Sequence, residues 1–587
     1  MDPVIVAGAG PTGLTLALAL ARHGVPSVVL DEADGPPRGG PRSAVLRPDT
    51  VALYERLGHR GPDADGARWS AWRTVRRRQE VLRVDFAPGP SGTAAPGEGP
   101  GAGSGTGAGR PASPLHVLQH RLQHGLAEAA AGQEPIRLVP GCRVVRVEQD
   151  DDGVTVHTDG GPAPSWRGSF LVGCDGPRST VRKLLRVRFP GRTAVDRYAV
   201  AVLRAPLPFP GESLLHRDPP WRGDTEVTAR PLPDDVWRLD WRLPQAARGG
   251  SPLTPDDLVA RIRNTLGGWC GEVPPYDLHA AVEYTVHQRL ARRWRVGRVF
   301  LAGDAAHVLG ALGMQSVDEG ARDADNLAWK LAMVLRGEAP DALLDTYQTE
   351  RRGAVGARLR AADQALPLLR SSGPLHAVRR SVLSGSMRRH GALLSDGNLG
   401  TGLLGAPPVH TPPPAPGPAR GGGRAVPQPR TATPPGAVVE DVAVTAVDGS
   451  PGRLRDRLGR HLLVLLVAPG TGVWESRHWL TAGLMPRLAE ATAALPVPAE
   501  LLVTEAYPGA VAHTVLLVRP DGHLVATMTG CRPEELRAHV EAVRGGAGGP
   551  PPREPSEDRS GESSGDSPGD SSGAPAGAPS GSRTGSG

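Results

Sequence analysis

The chain opens with Val4-Ile5-Val6-Ala7, an apolar run that breaks into Gly8-Ala9-Gly10-Pro11-Thr12-Gly13 before a helical stretch from Leu14 to Arg22. No other feature restricts the fold as strongly. Four consecutive apolar residues read as a buried parallel strand, and glycines at G-x-G-x-x-G spacing separate it from the helix. Gly8 permits a tight turn, Gly10 lets backbone approach a pyrophosphate, and Gly13 lets helix and strand pack closely. Phosphates held there face free N–H groups and the positive end of the helix. A second apolar run, Val28-Val29-Leu30, ends in Asp31, where a carboxylate can accept both hydroxyls of a ribose. Strand, glycines, helix, strand and acid in that order predict an α/β fold that cradles a dinucleotide.

The cradle alone does not distinguish FAD from NAD. Two later segments do. Residues 170–186 read Phe-Leu-Val-Gly-Cys-Asp-Gly-Pro-Arg-Ser-Thr-Val-Arg-Lys-Leu-Leu-Arg, and residues 298–331 carry Gly303-Asp304-Ala-Ala-His307 followed by Asp323-Ala-Asp-Asn326. Each is an apolar strand ending in a carboxylate beside glycine and leading into a helical segment. Together with the amino-terminal cradle they resemble the three fingerprints of class A flavoprotein monooxygenases, the single-component FAD hydroxylases, over residues 2–400. Plain nicotinamide dehydrogenases lack the second and third segments. Past residue 400 the chain resembles the hydroxylases of aromatic polyketide biosynthesis.

That resemblance implies a Rossmann-like, GR2-type FAD-binding domain, a mainly antiparallel β substrate domain and a thioredoxin-like α/β domain at the carboxy terminus. The expected boundaries are 1–186 for the first part of the FAD domain, with a Gly/Ser/Pro insertion at 87–113, and 187–283 for the substrate sheet. The FAD domain resumes at 284–404, a Pro/Gly linker covers 405–435, a separate small domain covers 436–545, and 546–587 is a disordered tail. Within these, Leu115 to Ala131 reads as a helix and Val236 to Leu243 as an alternating strand with Trp237, Leu239, Trp241 and Leu243 on one face. In the last domain, Leu462–Val467 and Glu500–Val503 are strands, Trp479–Ala494 is a helix, Asp521-Gly522 turns a hairpin, and Pro533–Val543 is a closing helix. No C-x-x-C is present, so redox activity is not expected of it.

The same resemblance implies the chemistry. NADPH or NADH reduces FAD, which reacts with O2 to a flavin C4a-hydroperoxide that oxygenates an electron-rich ring. The cofactor carries the difficult steps, so no metal or side-chain nucleophile is needed. Asp304 matches the aspartate that binds the ribityl chain, and Asp175 the one near the pyrophosphate. Arg42 matches an arginine that closes over the flavin's phosphates and Gln119 a glutamine beside the same cofactor; the alternative for each is a surface polar residue. Arg178 and Arg182 meet phosphates or form a solvated helix face. His307 reads as structural. Trp237 and Trp241 either stack on an aromatic substrate or fill the sheet core.

One stretch departs from the family. Where relatives carry two prolines and a glycine-rich turn ending Gly-Met-Asn, this chain has Leu309 to Gly320, with Gly313, Ser316, Val317 and Asp318. Asp318 and Glu319 suit capping of the following helix, and they weaken the field that its N–H groups would place on a reduced flavin. Asp49 also stands where arginine is frequent. Three activities fit: oxygenation of an aromatic polyketide, hydroxylation of a small phenol, or flavin binding with lost or altered catalysis.

Composition bears on the alternatives. The net charge is +6, yet only Lys183 and Lys330 of 67 basic residues are lysine, and Arg76-Arg77-Arg78 is the longest arginine run. A charge so scattered does not make a nucleic-acid footprint. Four dispersed cysteines argue against disulfide or zinc scaffolds. The apolar amino terminus is interrupted by glycines and preceded by no basic region, which predicts a cytoplasmic protein without a membrane span. The expected assembly is a monomer or homodimer.

Overall fold

The computed structural model describes residues 1–35, 39–59, 61–87, 112–221, 226–243, 253–370, 407–412, 429–471 and 483–545. The expected insertion, most of the linker and the tail lie outside them. Val4–Ala7 sits near the middle of a six-stranded sheet, parallel to Phe170–Gly173 on one side and to Ser27–Leu30 on the other. All four of its residues are buried. The strand Val299–Leu301 continues this sheet in parallel, so the three sequence segments end side by side at its carboxyl edge. The glycines earn their places by clearance. A Cβ at Gly13 would stand 2.0 Å from the Gly8 carbonyl oxygen, and one at Gly8 would meet the Cys174 carbonyl oxygen at 2.5 Å. At Gly10 it would meet nothing within 4 Å among the described residues.

The helix Pro11–Arg22 follows, and packs against the long helix Ser316–Leu335. The segment expected to be one helix from Leu115 is instead a strand, Leu115–Leu118, followed by the helix Gln119–Ala131. The strand pairs with Ser43–Leu46 and Gly66–Arg68 and is buried on both faces, so two-sided burial overrides helical periodicity there.

An eight-stranded sheet lies over this unit. Its order is His307–Leu309, Asp277–Leu290, Gly191–Arg204, Val236–Leu243, Glu226–Pro231, Glu212–Arg217, Ala71–Arg76 and Gln79–Asp85. It thus recruits a hairpin from residues 71–85 and a strand at 307–309 besides the stretch 187–283. Its outer face packs on the helix Pro255–Cys270 through Ala201, Trp237, Leu239, Trp241, Ile262 and Leu266. Thr254 opens that helix with a capping box to Asp257.

The carboxy-terminal sheet runs Pro451–Arg453, Ala443–Ala446, Ala499–Thr504, Leu462–Val467, Thr514–Val518, Leu524–Thr529. With the helices Met485–Ala493 and Pro533–Val543 it forms the thioredoxin-like layer, and the Asp521-Gly522 turn is present. This part does not stand apart. Trp329, Met333, Ala339 and Leu343, all outside it, complete one of its two apolar faces with Leu462, Val464, Leu466 and Val540. Each such buried side chain contributes about 1.5–3 kcal/mol, so the shared face is a main source of cohesion.

Candidate functional site

A cavity of about 520 Å³ opens at the carboxyl edge of the parallel sheet, lined by Gly8, Gly10, Asp31, Asp175, Arg178 and Lys183 among others. Asp31 accepts the Ala9 N–H at 2.5 Å with one oxygen and the Ala33 N–H at 2.9 Å with the other. It therefore shapes the turn as well as lining the space. Asp175 accepts N–H groups of Thr180 and Val181 through Oδ2, at 2.6 and 3.0 Å, while its buried Oδ1 has no partner among the described residues. The helix Gln119–Ala131 contributes Gln123, whose amide donates to the Ala9 carbonyl at 2.8 Å. Gln119 sits one turn earlier, where its backbone N–H donates to the carbonyl of Arg42 at 2.9 Å, so those two expected residues are neighbours.

The third segment meets the cradle at Thr12. A Cβ on Gly303 or Gly320 would come within 2.5 and 2.2 Å of Thr12 Oγ1. Pro11 is buried at the first helical position, where a missing N–H costs nothing. Asp304 lies in the turn Gly303–Ala305, and its Oδ1 accepts the Ser316 hydroxyl at 2.6 Å. Gly313 falls in the 3-10 turn Gly310–Gln315, and Val317 packs at the edge of the main core.

A buried ion network anchors this region. Asp323 accepts the Gly303 N–H at 2.9 Å and pairs with His307 at 2.7 Å and Arg351 at 2.8 Å. His307 also stacks on Trp294, in keeping with a structural role. Glu319 pairs with Arg351, Arg358 and Arg322. Burial pushes its carboxyl up, but Arg358 and Arg351 outweigh that and hold it down at about 2. Neither acid caps the helix: its N-cap is Gln315, whose side chain accepts from Arg358 at 3.4 Å rather than capping the first turn. Asp318 instead accepts the Arg47 N–H at 3.2 Å, and burial, aided by Asp49 and opposed by Arg47, pushes it up to about 7. Asp49 itself pairs with Arg47 and Arg322.

Arg178 lines the cavity, whereas Arg182 turns away. Arg182 donates to the carbonyls of Ala305 and Pro177 and covers the Phe189 ring at 3.9 Å, tying the second segment to the third.

Trp237 and Trp241 do not face this region. Strict alternation sends both to the outer side of the eight-stranded sheet, where Trp241 donates to Thr265 at 2.9 Å and Trp237 meets Phe209 edge-on. They are sheet core, not a stacking platform for substrate. The inner face belongs to residues that sequence reasoning missed. Asp240 pairs with Arg230 at 2.6 Å and Arg238 at 2.7 Å, and Arg238 reaches Ser43 Oγ at 3.1 Å. His116 bridges Ser43 Oγ and the Pro231 carbonyl at 2.7 and 2.8 Å. Tyr198 and Tyr284 stack beside them at 5.6 Å. The signal was available, since an alternating strand has two faces and Arg238 and Asp240 occupy the second.

The family described as "FAD binding domain" matches residues 1–362. The chain belongs to that family. FAD is its cofactor, and the cavity suits it: cationic Arg178 and Lys183, and, among the described residues, open space at Gly10 and an unpartnered carboxylate oxygen on Asp175. Among curated relatives, the 3-(3-hydroxy-phenyl)propionate/3-hydroxycinnamic acid hydroxylase of Mycobacterium sp. (strain JLS) is 32% identical over 60% of this chain and 57% of its own length. The 12-dehydrotetracycline 5-monooxygenase/anhydrotetracycline 6-monooxygenase of Streptomyces rimosus subsp. rimosus is 34% identical over 61% of this chain and 68% of its own. The matches thus span little more than half the length of the first of these relatives. Among solved structures, the anhydrotetracycline hydroxylase OxyS from Streptomyces rimosus superposes with a TM-score of 0.64 at 27% identity, over 92% of this chain and 98% of that one. Among the described residues, no helix is long and apolar enough to cross a membrane.

Proposed function

We propose that this chain is an FAD-dependent monooxygenase that consumes NADPH or NADH and O2 to oxygenate an aromatic, polyketide-type substrate. The observation that carries the reading is the meeting of all three segments around one cleft, with Gly8 against Cys174 and Thr12 against Gly303 and Gly320. Relatives named as a monooxygenase and a hydroxylase of tetracycline intermediates support the substrate class. In this reading Gly8, Gly10, Pro11, Thr12, Gly13 and Asp31 hold the adenosine diphosphate half, with Asp175 beside the pyrophosphate. Gly303 and Asp304 hold the ribityl chain, Arg42 closes over the flavin's phosphates with Gln119 beside the cofactor, and Gly313, Val317 and Asp318 border its ring. The protein acts in the cytoplasm as a monomer or homodimer.

When bound and reduced, the flavin would supply the electrons that activate O2, one atom of which goes to the substrate and the other to water. The chain's residues bind, orient and exclude water. The inner sheet face roofs the reacting space, and its buried arginines, Arg230 and Arg238 against one Asp240, leave a net positive charge toward a substrate phenolate. Tyr198 and Tyr284 offer aromatic surface next to it.

A second reading, flavin binding with altered catalysis, rests on Ser316, whose hydroxyl occupies an oxygen of Asp304 that the ribityl chain would use. One experiment separates them. Purified protein with a yellow FAD spectrum is mixed with NADPH and polycyclic phenols or small phenols. Substrate-stimulated NADPH oxidation and O2 uptake with the polycyclic set supports the proposal. Bound flavin with no such stimulation sinks it in favour of altered catalysis.

A further inference from the structure

The outer face of the eight-stranded sheet, opposite Arg238 and Ser43, bears a cavity of about 610 Å³ that the proposed reaction does not use. Its walls are aromatic. Trp221 lies flat on the helix Pro255–Cys270 at Gly268, where a Cβ would stand 2.2 Å from the indole ring. Glycine is unfavourable inside a helix, and here its absence of side chain is what admits the tryptophan. The ring of Trp221 meets His216 edge-on at 4.9 Å and Trp269 at 6.1 Å, and Phe209 meets Trp269 at 5.4 Å.

These walls are held firmly. Trp269 Nε1 donates to His216 Nδ1 at 3.0 Å, and His216 Nε2 donates to the Arg77 carbonyl at 2.6 Å. Arg77 takes φ of 54°, a conformation that non-glycine residues seldom adopt, and its N–H donates to the Arg217 carbonyl at 2.9 Å. The arginine run thereby becomes the rim of the cavity. Arg76 pairs with Asp218, and Arg73 with Glu80 and Glu212. Arg77 and Arg78 are exposed, and neither has an ion pair among the described residues.

We propose that this cavity is a second ligand site, for a planar aromatic molecule bearing one anionic group such as a carboxylate. Ring faces pack against the tryptophans, and the anion meets Arg77 and Arg78. The volume lies within the usual range for small-molecule pockets, about 300–1,000 Å³. Both nitrogens of His216 and the Trp269 N–H are already engaged, so a ribose or a base edge finds few partners in the wall. An aromatic acid fits this lining better than a nucleotide does. The sheet separates its occupant from the proposed reacting space.

The test titrates the full-length, flavin-loaded chain with anthraquinone-2-carboxylate, reading heat, tryptophan fluorescence and flavin absorbance. The expected result is one equivalent that quenches tryptophan and leaves flavin absorbance unchanged. Replacing Arg77→Gly together with Arg78→Ser, which also relieves the backbone at residue 77, weakens that event at least about tenfold. The neutral anthraquinone-2-carboxamide binds weaker by a similar factor, and Trp269→Leu diminishes the quenching. Absence of a flavin-silent event overturns the proposal, as does an event indifferent to both the arginines and the ligand's charge. Tighter binding of NADP+ than of the acid at this site overturns it too. No readout involves turnover, so the result is independent of the proposed activity.

Discussion

At the scale of single residues, two carboxylates near the cleft behave oppositely although both are buried. Glu319 is ringed by three arginines and stays ionised. Asp318, its neighbour, is pushed up to about 7 because burial outweighs the single charge of Arg47. Between the ordinary carboxyl range and that value the folded chain holds a proton that the unfolded chain has released. Asp318 therefore lowers stability progressively as pH rises through this window, and the penalty is complete above it. Asp318→Asn is expected to stabilise the protein at pH 8 by at least about 1 kcal/mol relative to pH 4, measured by denaturant unfolding; an unchanged difference would show Asp318 to be ionised throughout. Asp304→Ala is expected to weaken FAD about 10–100-fold, as loss of a charge-assisted bond requires. Full flavin retention after dialysis would count against the role assigned to Asp304.

At the scale of elements, the helix Ser316–Leu335 is a polar spine through an apolar core. Glu319 and Asp323 face the cleft network, while Asn326, Trp329 and Lys330 face the carboxy-terminal hairpin. One π turn, Gln348–Arg352, serves both ends: Arg351 joins Glu319 and Asp323, and Glu350 joins Lys330 and Arg519 at 2.9 and 2.8 Å. Arg519 also pairs with Asp521, which accepts Asn326 and Trp329 N–H groups. Arg519→Met removes the shared cation of two buried carboxylates, leaving Glu350 with Lys330 and Asp521 with its Asn326 and Trp329 donors, and is expected to cost about 3–5 kcal/mol. Adding Glu350→Gln recovers part of that loss in a double-mutant cycle, whereas strict additivity would show the pair to be uncoupled.

These elements also mark what the sequence could and could not reveal. The cradle was legible because glycine spacing is dictated by local clearance, and the helix Pro533–Val543 because its apolar period is intact. Leu115–Leu118 was misread because its partners, residues 43–46 and 66–68, are distant in the chain. The inner-face cluster escaped for a related reason: Ser43, His116, Arg230 and Asp240 become neighbours only after the sheet has formed.

At the scale of the whole molecule, residues 436–545 share their apolar face with Trp329, Met333, Ala339 and Leu343. A chain ending at residue 435 uncovers these side chains and strands Lys330 and Glu350 without Arg519. It is expected to aggregate, which light scattering and soluble yield will report; a monodisperse, flavin-loaded fragment would contradict the shared face.

Because that face is common property, the two halves are constrained to change together. A chimera that grafts the carboxy-terminal layer of a relative onto this chain will assemble only if positions 326, 329, 333 and 350 travel with the graft. The seam for recombination therefore runs through the interior of a helix rather than along the proline-rich connector.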